Sequence, residues 1–300
     1  MDPLSVAVHR GPFVESVHVV HAVAVGDGTV VAEAGDPAFL TSLRSSAKPF
    51  QALPLVRSRD DLDDGDIAIA SASHRAEPEQ IEAVRRLLAK APATAEDLEV
   101  GIQEGRPPQP IFHNCSGKHA GMLAACRARG WQTQGYRLAG HPLQDEILSE
   151  VAAAAELEPS ELETAVDGCG VVCFALPLER VAFMFSRLEN REGGGRVAAA
   201  MRAHPALVAF PGALDTELMA GAPVVAKIGA EAVVAVGLAD GRGLALKVAD
   251  GSARALDPAT VWAAREVLGL PAASAALDTL AEPPLLNSRG VVVGRVFVAG

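Results

Sequence analysis

Valine-rich runs open and close the chain, and helix-period patterns fill the stretch between them. Residues 4–9, 13–25 and 29–35 are crowded with valine, and Gly11-Pro12 and Gly26-Asp27-Gly28 interrupt them as turns do. This predicts a hairpin or short meander. VVAKIG (224–229), EAVVAVGL (231–238), GLALKVAD (243–250) and GVVVGRVFVA (290–299) repeat the pattern later, separated by glycine-containing turns. In the middle, residues 77–91, 118–130, 141–157, 160–166 and 195–208 have a helical pattern. The apolar run DIAIA (66–70) reads as a strand passing into the helix that starts near Glu77.

Strands at both ends with helices between them predict an α+β fold, in which one antiparallel sheet is built from the N- and C-terminal strands. The β-rich parts, 1–75 and 222–300, would form that sheet. The mainly helical middle would run over about 76–221, and the whole of 1–300 would be one catalytic domain. No linker rich in Gly/Ser or Pro divides the chain, apart from the short loop REGGGR at 191–196.

Composition narrows the function. Hydrophobic residues make up 49% and mean hydropathy is +0.22, yet no run of eighteen uncharged apolar residues occurs, so the apolar surplus is expected in a core rather than a bilayer. A net charge of −11 with no basic cluster argues against nucleic acid as a partner and for a small polar ligand. The opening residues lack the charged and apolar blocks of an export signal, which predicts a cytoplasmic protein. Neither GxGxxG nor GxxxxGK[ST] occurs, so nothing in the sequence supports a nucleotide cofactor.

Lysine is scarce. Of 26 basic residues only Lys48, Lys90, Lys118, Lys227 and Lys247 are lysines, so arginine supplies the ordinary surface charge. Arginine stays protonated, whereas a desolvated lysine can become a neutral base or a metal ligand. RSSAKPF places Lys48 three residues after Ser45 where a helix begins, which on one helix face gives a serine its own base. Pro49 keeps this motif near the helix start. Taken alone, a capping serine with a snorkelling lysine explains the same residues. SASHRAE places Ser73 and His74 ahead of the next helix, where capping is again the plainer explanation. VVAKIGAE sets Lys227 at the end of a strand.

The four cysteines divide into two kinds. Cys126 and Cys173 lie in apolar runs and read as core, whereas Cys115 and Cys169 stand among Gly, Ser, Asn and Asp. HNCSGKHAG gathers Asn114, Cys115, Ser116, Lys118 and His119 within six residues, and glycines flank Cys169 in DGCG. Two thiolates with a nitrogen and a water would make a zinc site with an open position. By spacing, His113 or His119 is the candidate nitrogen. A thiol nucleophile at Cys115 with a histidine base is the rival.

In order along the chain, FVESVH, RSSAKPFQALPL, ASH, HNCSGKHAGML, DGCG, LDTELM, AKIGAE, GLALKVADG and LNSRG resemble the thermolabile asparaginases of the Rhizobium etli type. That resemblance implies a fold like the serine β-lactamases, penicillin-binding proteins and glutaminases. It implies hydrolysis of L-asparagine by two serine–lysine pairs, Ser45 with Lys48 and Ser73 with Lys227, with Lys247 as the alternative second lysine. It further implies one zinc ion on Cys115, Lys118 and Cys169, and a homodimer. Arg44 and Asp167 are candidate charge partners for an amino-acid substrate, with His74 and His119 as further substrate contacts. Two departures are visible: the region around REGGGR is short, and Ala232 stands where glycine is expected. The competing functions are β-lactam or peptide acyl transfer on the same fold, and a non-catalytic zinc- or thiol-sensing protein.

Overall fold

Alternating valines at the two ends of the chain meet as paired strands. The computed structural model describes residues 1–271 and 274–299. In chain order its strands are β1 (Leu4–Arg10), β2 (Phe13–Gly26), β3 (Thr29–Ala34), β4 (Leu40–Ser42), β5 (Glu163–Val166), β6 (Val172–Pro177), β7 (Val224–Gly229), β8 (Val233–Leu238), β9 (Gly243–Val248), β10 (Pro284–Leu286) and β11 (Val292–Ala299). Its helices are α1 (Lys48–Gln51), α2 (Leu53–Ser58), α3 (Asp64–Ala70), α4 (Pro78–Lys90), α5 (Ser116–Arg129), α6 (Pro142–Ala155), α7 (Leu178–Ser186), α8 (Gly194–Ala203), α9 (Pro205–Val208), α10 (Leu214–Gly221), α11 (Leu256–Glu266) and α12 (Ala275–Ala281). The class is α+β.

Two compact units divide the chain. The first comprises Met1–Ser46, Leu176–Ser186 and Glu217–Gly300, and the second comprises Ala47–Ala175 and Arg187–Thr216. Leu176–Ser186 and residues 217–221, placed by the sequence in the helical middle, belong to the first unit. Residues 47–75, grouped above with the sheet, belong to the second unit.

In the first unit the strand order is β10-β11-β1-β2-β9-β8-β7, with β3 also on β2, and the pairings are antiparallel. β1 runs against β11 from Ser5↔Ala299 to Arg10↔Gly294, so sequence-distant ends close the sheet. β2 is the hub. Its first part pairs with β1 and its second with β3, while its other edge carries β9. Val6, Val8, Val20, Val23, Val25, Val234, Val236 and Leu246 are buried in this unit, and α7 adds Leu178, Val181 and Phe185 to the core. Each such side chain contributes roughly 1.5–3 kcal/mol by leaving water.

The second unit is mainly helical. Ile67 and Ile69 on α3, Leu53 and Leu55 on α2, Leu87 on α4 and Leu123 on α5 are all 1% exposed or less. β5 pairs with β6 from Glu163↔Ala175 to Val166↔Val172, forming a small hairpin.

Three sequence expectations are corrected here. DIAIA is a helix, because Asp63 and Asp66 form a reciprocal N-terminal box and both isoleucines are buried on it. Residues 160–166 hold only a 3-10 turn, Pro159–Glu161, followed by strand β5, whose pairing with β6 overrides the helical pattern. The 195–208 helix is broken at His204, because Pro205 lacks an N–H and starts a new helix instead.

Candidate active site

Local chain geometry sets each predicted side chain. In the first unit, β4 leads into a 3-10 turn, Arg44–Ala47, that holds Ser45 half-buried. Ser46 donates both its N–H and its hydroxyl to Leu43 O, at 2.9 and 2.6 Å. Arg44 enters the turn at φ +46°, a left-handed conformation that non-glycine residues adopt at a cost. β7 lies close against this turn within the same unit. A Cβ on Gly229 would stand 2.5 Å from Leu43 O and 3.3 Å from Ser46 N, so only glycine permits the approach.

Lys227 is 1% exposed on β7 and donates to Ile228 O at 3.1 Å. After it, Glu231 and Ala232 both have positive φ, +62° and +53°, and Arg44 Nη1 lies 4.0 Å from Glu231 Oε1. Lys247 is buried on β9 opposite His21 and donates to the neighbouring Val248 carbonyl. Burial lowers its pKa, opposed by Glu231 and Asp250.

The second unit gathers most of the predicted residues. Lys48 opens α1 fully buried, and its Nζ donates to Ser73 Oγ at 2.8 Å and to Ala72 O. Ser73 follows α3 in an extended segment anchored by its N–H to Val208 O at 2.8 Å. Nearby, Gln80 Nε2 donates to Ala206 O and Ala209 O, while its Oε1 accepts the N–H groups of Arg75 and Glu77. Arg75 lies over the Phe210 ring, 3.3 Å from its centroid.

The ring of His74, a predicted substrate contact, is 1% exposed, and both its nitrogens are used within the protein. Nδ1 accepts from Ala76 N–H at 3.1 Å, which leaves the ring proton on Nε2 to donate to Ser116 Oγ at 2.9 Å. Ser116 in turn donates to Ile111 O at 2.7 Å, and His74 N–H donates to Asn114 O. Arg106 donates to the carbonyls of His74 and Phe112. The ring is thus a strut from the Ser73 segment to the start of α5. Burial first, then the neighbouring Lys48 side chain, pull its pKa down to about 3, so it is neutral.

The cysteines come together at this same start of α5. Cys115 caps the helix, and Lys118 and His119 follow on its first turn. Gly117 sets the depth of the helix: a Cβ there would fall 2.2 Å from Ile69 O on α3. The loop between β5 and β6 brings in Cys169, held by Asp167 N–H to Val171 O and Gly170 N–H to Asp167 O. Lys118 Nζ stands 3.0 Å from Cys169 Sγ, and Asp167 Oδ2 is 3.8 Å from the same sulfur. Cys115, Lys118, His119 and Cys169 are each 4% exposed or less.

Their electrostatics are shared. A hydrogen bond from Cys169, reinforced by the charges of Lys48 and Lys118, draws the Cys115 thiol well below its ordinary range. Cys169 keeps the shared proton and moves up. Burial works to lower Lys118, but Cys169, Cys115 and Asp167 outweigh it and the ammonium is favoured. Burial holds His119 down to about 4, hence neutral. His113 is lowered by burial too, and its Nδ1 accepts from Cys115 N–H at 3.0 Å.

Among the described residues, no group of three or more His, Cys, Asp or Glu side chains is disposed to hold a metal ion. The zinc set expected above is of another kind, two thiols and a lysine amine, and these three do converge. Two buried soft sulfurs, one already drawn toward thiolate, with an amine 3.0 Å from the other, fit a zinc ion chemically.

Sequence reasoning missed Gln80, Glu99, Arg106 and Tyr136, which hold these groups in place. For Tyr136 one signal existed, since it is the only tyrosine in 300 residues.

Comparison with curated proteins gives no match. No helix among the described residues is long and apolar enough to cross a membrane. The family model for L-asparaginase II matches residues 6–298, nearly the whole chain. This chain therefore belongs to the L-asparaginase II family and is an L-asparaginase, an amidohydrolase acting on asparagine.

Proposed function

We propose that the reaction runs through serine–lysine chemistry, and that the chain is of the Rhizobium etli type with a serine β-lactamase-like ancestry. The contact of buried Lys48 Nζ with Ser73 Oγ at 2.8 Å carries this reading, because it puts an amine base on a hydroxyl in a largely dry setting. In the proposed sequence Ser45 attacks the side-chain amide carbon of asparagine and gives its proton to Lys48, three residues along. Ser73, bonded to Lys48, passes a proton on to the departing ammonia and, with Lys227, later takes one from the hydrolytic water. Backbone N–H groups at the Arg44–Ala47 turn are candidate donors to the oxyanion, each typically worth about 3 kcal/mol in such sites. Arg44 would meet the substrate carboxylate and Asp167 its ammonium.

Cys115, Cys169 and Lys118 would hold a zinc ion, with Lys118 giving up its proton to do so. When bound, the ion would supply fixed positive charge and Lewis acidity beside the reacting groups. His119 would stand beside it as a neutral donor. A pair of copies is the proposed assembly, consistent with Val14, Val17 and Val19 exposed on β2, and sedimentation would check it.

The 2.8 Å contact also favours a second reading in which Ser73 is the attacking group. Ammonia release from asparagine by Ser45→Ala and Ser73→Ala, with mass-spectrometric trapping of the acyl-enzyme, decides between them. Retained acylation in Ser45→Ala and none in Ser73→Ala would transfer the nucleophile to Ser73. Full activity in both would end the serine–lysine proposal.

A further inference from the structure

The hydrogen-bonding of Tyr136 decides where the His119 proton sits. Tyr136 is 0% exposed, and its burial pushes the phenol pKa up, so the hydroxyl keeps its one proton. Its oxygen already accepts Glu99 N–H at 3.0 Å. The proton needs an acceptor, and His119 Nδ1 lies 2.7 Å away. A neutral imidazole that accepts at Nδ1 carries its hydrogen on Nε2. That atom is buried with no hydrogen-bond partner, and Cys169 is among the groups that act on the ring.

The phenol is itself held. Glu99 Oε1 accepts Gly135 N–H at 2.8 Å, and Gln144 Nε2 donates to Tyr136 O at 2.8 Å, so the backbone on either side of the ring is pinned. The two rings meet edge to face, 5.5 Å between centroids. Arg137, next in sequence, lies 3.3 Å from Glu99 and along Gly170, beside Cys169.

We propose that Tyr136, held by Glu99, is a positioning residue that locks His119 with its proton on Nε2 facing the Cys169 sulfur, so that the ring serves the thiol pair as a donor and is withdrawn from metal ligation. Of the two nitrogens that spacing left open, on His113 and His119, this withdraws the one on His119. The part concerning metal rests on the zinc reading above. The ring assignment does not.

Both parts are measurable on the full, metal-free chain. Nitrogen-15 NMR of the labelled histidine rings should show His119 protonated at Nε2 in the wild type and a loss of that preference in Tyr136→Phe. Competition of zinc alone against a chromophoric chelator should show affinity reduced roughly 10- to 100-fold in Tyr136→Phe and His119→Ala, the range of lost outer-shell partners. His119→Gln should recover most of it, since an amide can accept from Tyr136 and donate toward sulfur. A wild-type ring protonated at Nδ1 overturns the lock, as does Tyr136→Phe binding zinc like the wild type. A wild type that takes up no zinc but carries its proton on Nε2 overturns the metal reading alone.

Discussion

Lys48 Nζ donates to Ser73 Oγ at 2.8 Å, which joins the first lysine of the S-x-x-K motif to the second serine. Chemistry at Ser73 therefore feels this amine. Lys48→Met, similar in length but without a basic nitrogen, is expected to lower kcat by about 10²- to 10⁴-fold, the usual range for a lost general base. The variant should keep its far-ultraviolet spectrum. Unchanged turnover would remove Lys48 from the mechanism.

Gly229 ties the serine turn to β7. With a Cβ placed 2.5 Å from Leu43 O, Gly229→Ala must push apart backbone that carries Ser45. A shift near 1 Å can cost about 10²-fold in rate, so kcat should fall by that order while the melting temperature moves by a few degrees. A variant that melts low but turns over normally would show that the contact serves stability only.

Ala232 occupies the left-handed region at φ +53°, where a Cβ is unfavourable by about 1–2 kcal/mol. Ala232→Gly removes that clash and adds freedom to the unfolded chain, which offsets part of the gain. The expected outcome is a net stabilisation of up to about 1 kcal/mol in urea unfolding. Destabilisation would mean that the methyl group, which is buried, contributes packing that outweighs the strain.

Two buried neutral histidines make the fold acid-sensitive. His74 and His119 have folded pKa values near 3 and 4, below the ordinary histidine value of 6.5. As pH drops below 6.5 the unfolded chain binds protons that the folded chain refuses, so unfolding becomes easier. Each ring adds a slope of up to about 1.4 kcal/mol per pH unit between its two pKa values, and neither carries a penalty above pH 6.5. Urea unfolding between pH 7 and 5 should show the slope, and His74→Gln should reduce it. A flat profile would contradict the buried neutral state.

Much of this was legible from the residues. Valine-rich strands at both ends carry their period openly, because a sheet face repeats every second residue and turns punctuate it. A single antiparallel sheet shared by the two ends followed from that pattern, whereas the pairing of β1 with β11 comes from the structure. DIAIA misled because alternating isoleucines look like a half-buried strand, and the deciding signal, the Asp63–Asp66 box, lies partly outside the run. At the candidate site, unusual residue types drew attention to Lys48, Lys118, Cys115 and Cys169. His74 drew attention for the same reason, and its ring ties the Ser73 segment to Ser116. Gln80, Glu99 and Arg106 were invisible, since they act through carbonyls and N–H groups that any sequence supplies.

The pairing of Ser5 with Ala299 has a consequence for biosynthesis. β1 and β2 leave the ribosome early, but β9 and β11, which cover their edges, come after more than 200 further residues. Until then two valine-rich strands display open hydrogen-bonding edges, the state from which chains pair with one another. Sheet completion is a late event that spans nearly the full sequence, so folding of this unit should be slow for its size and sensitive to chaperone supply.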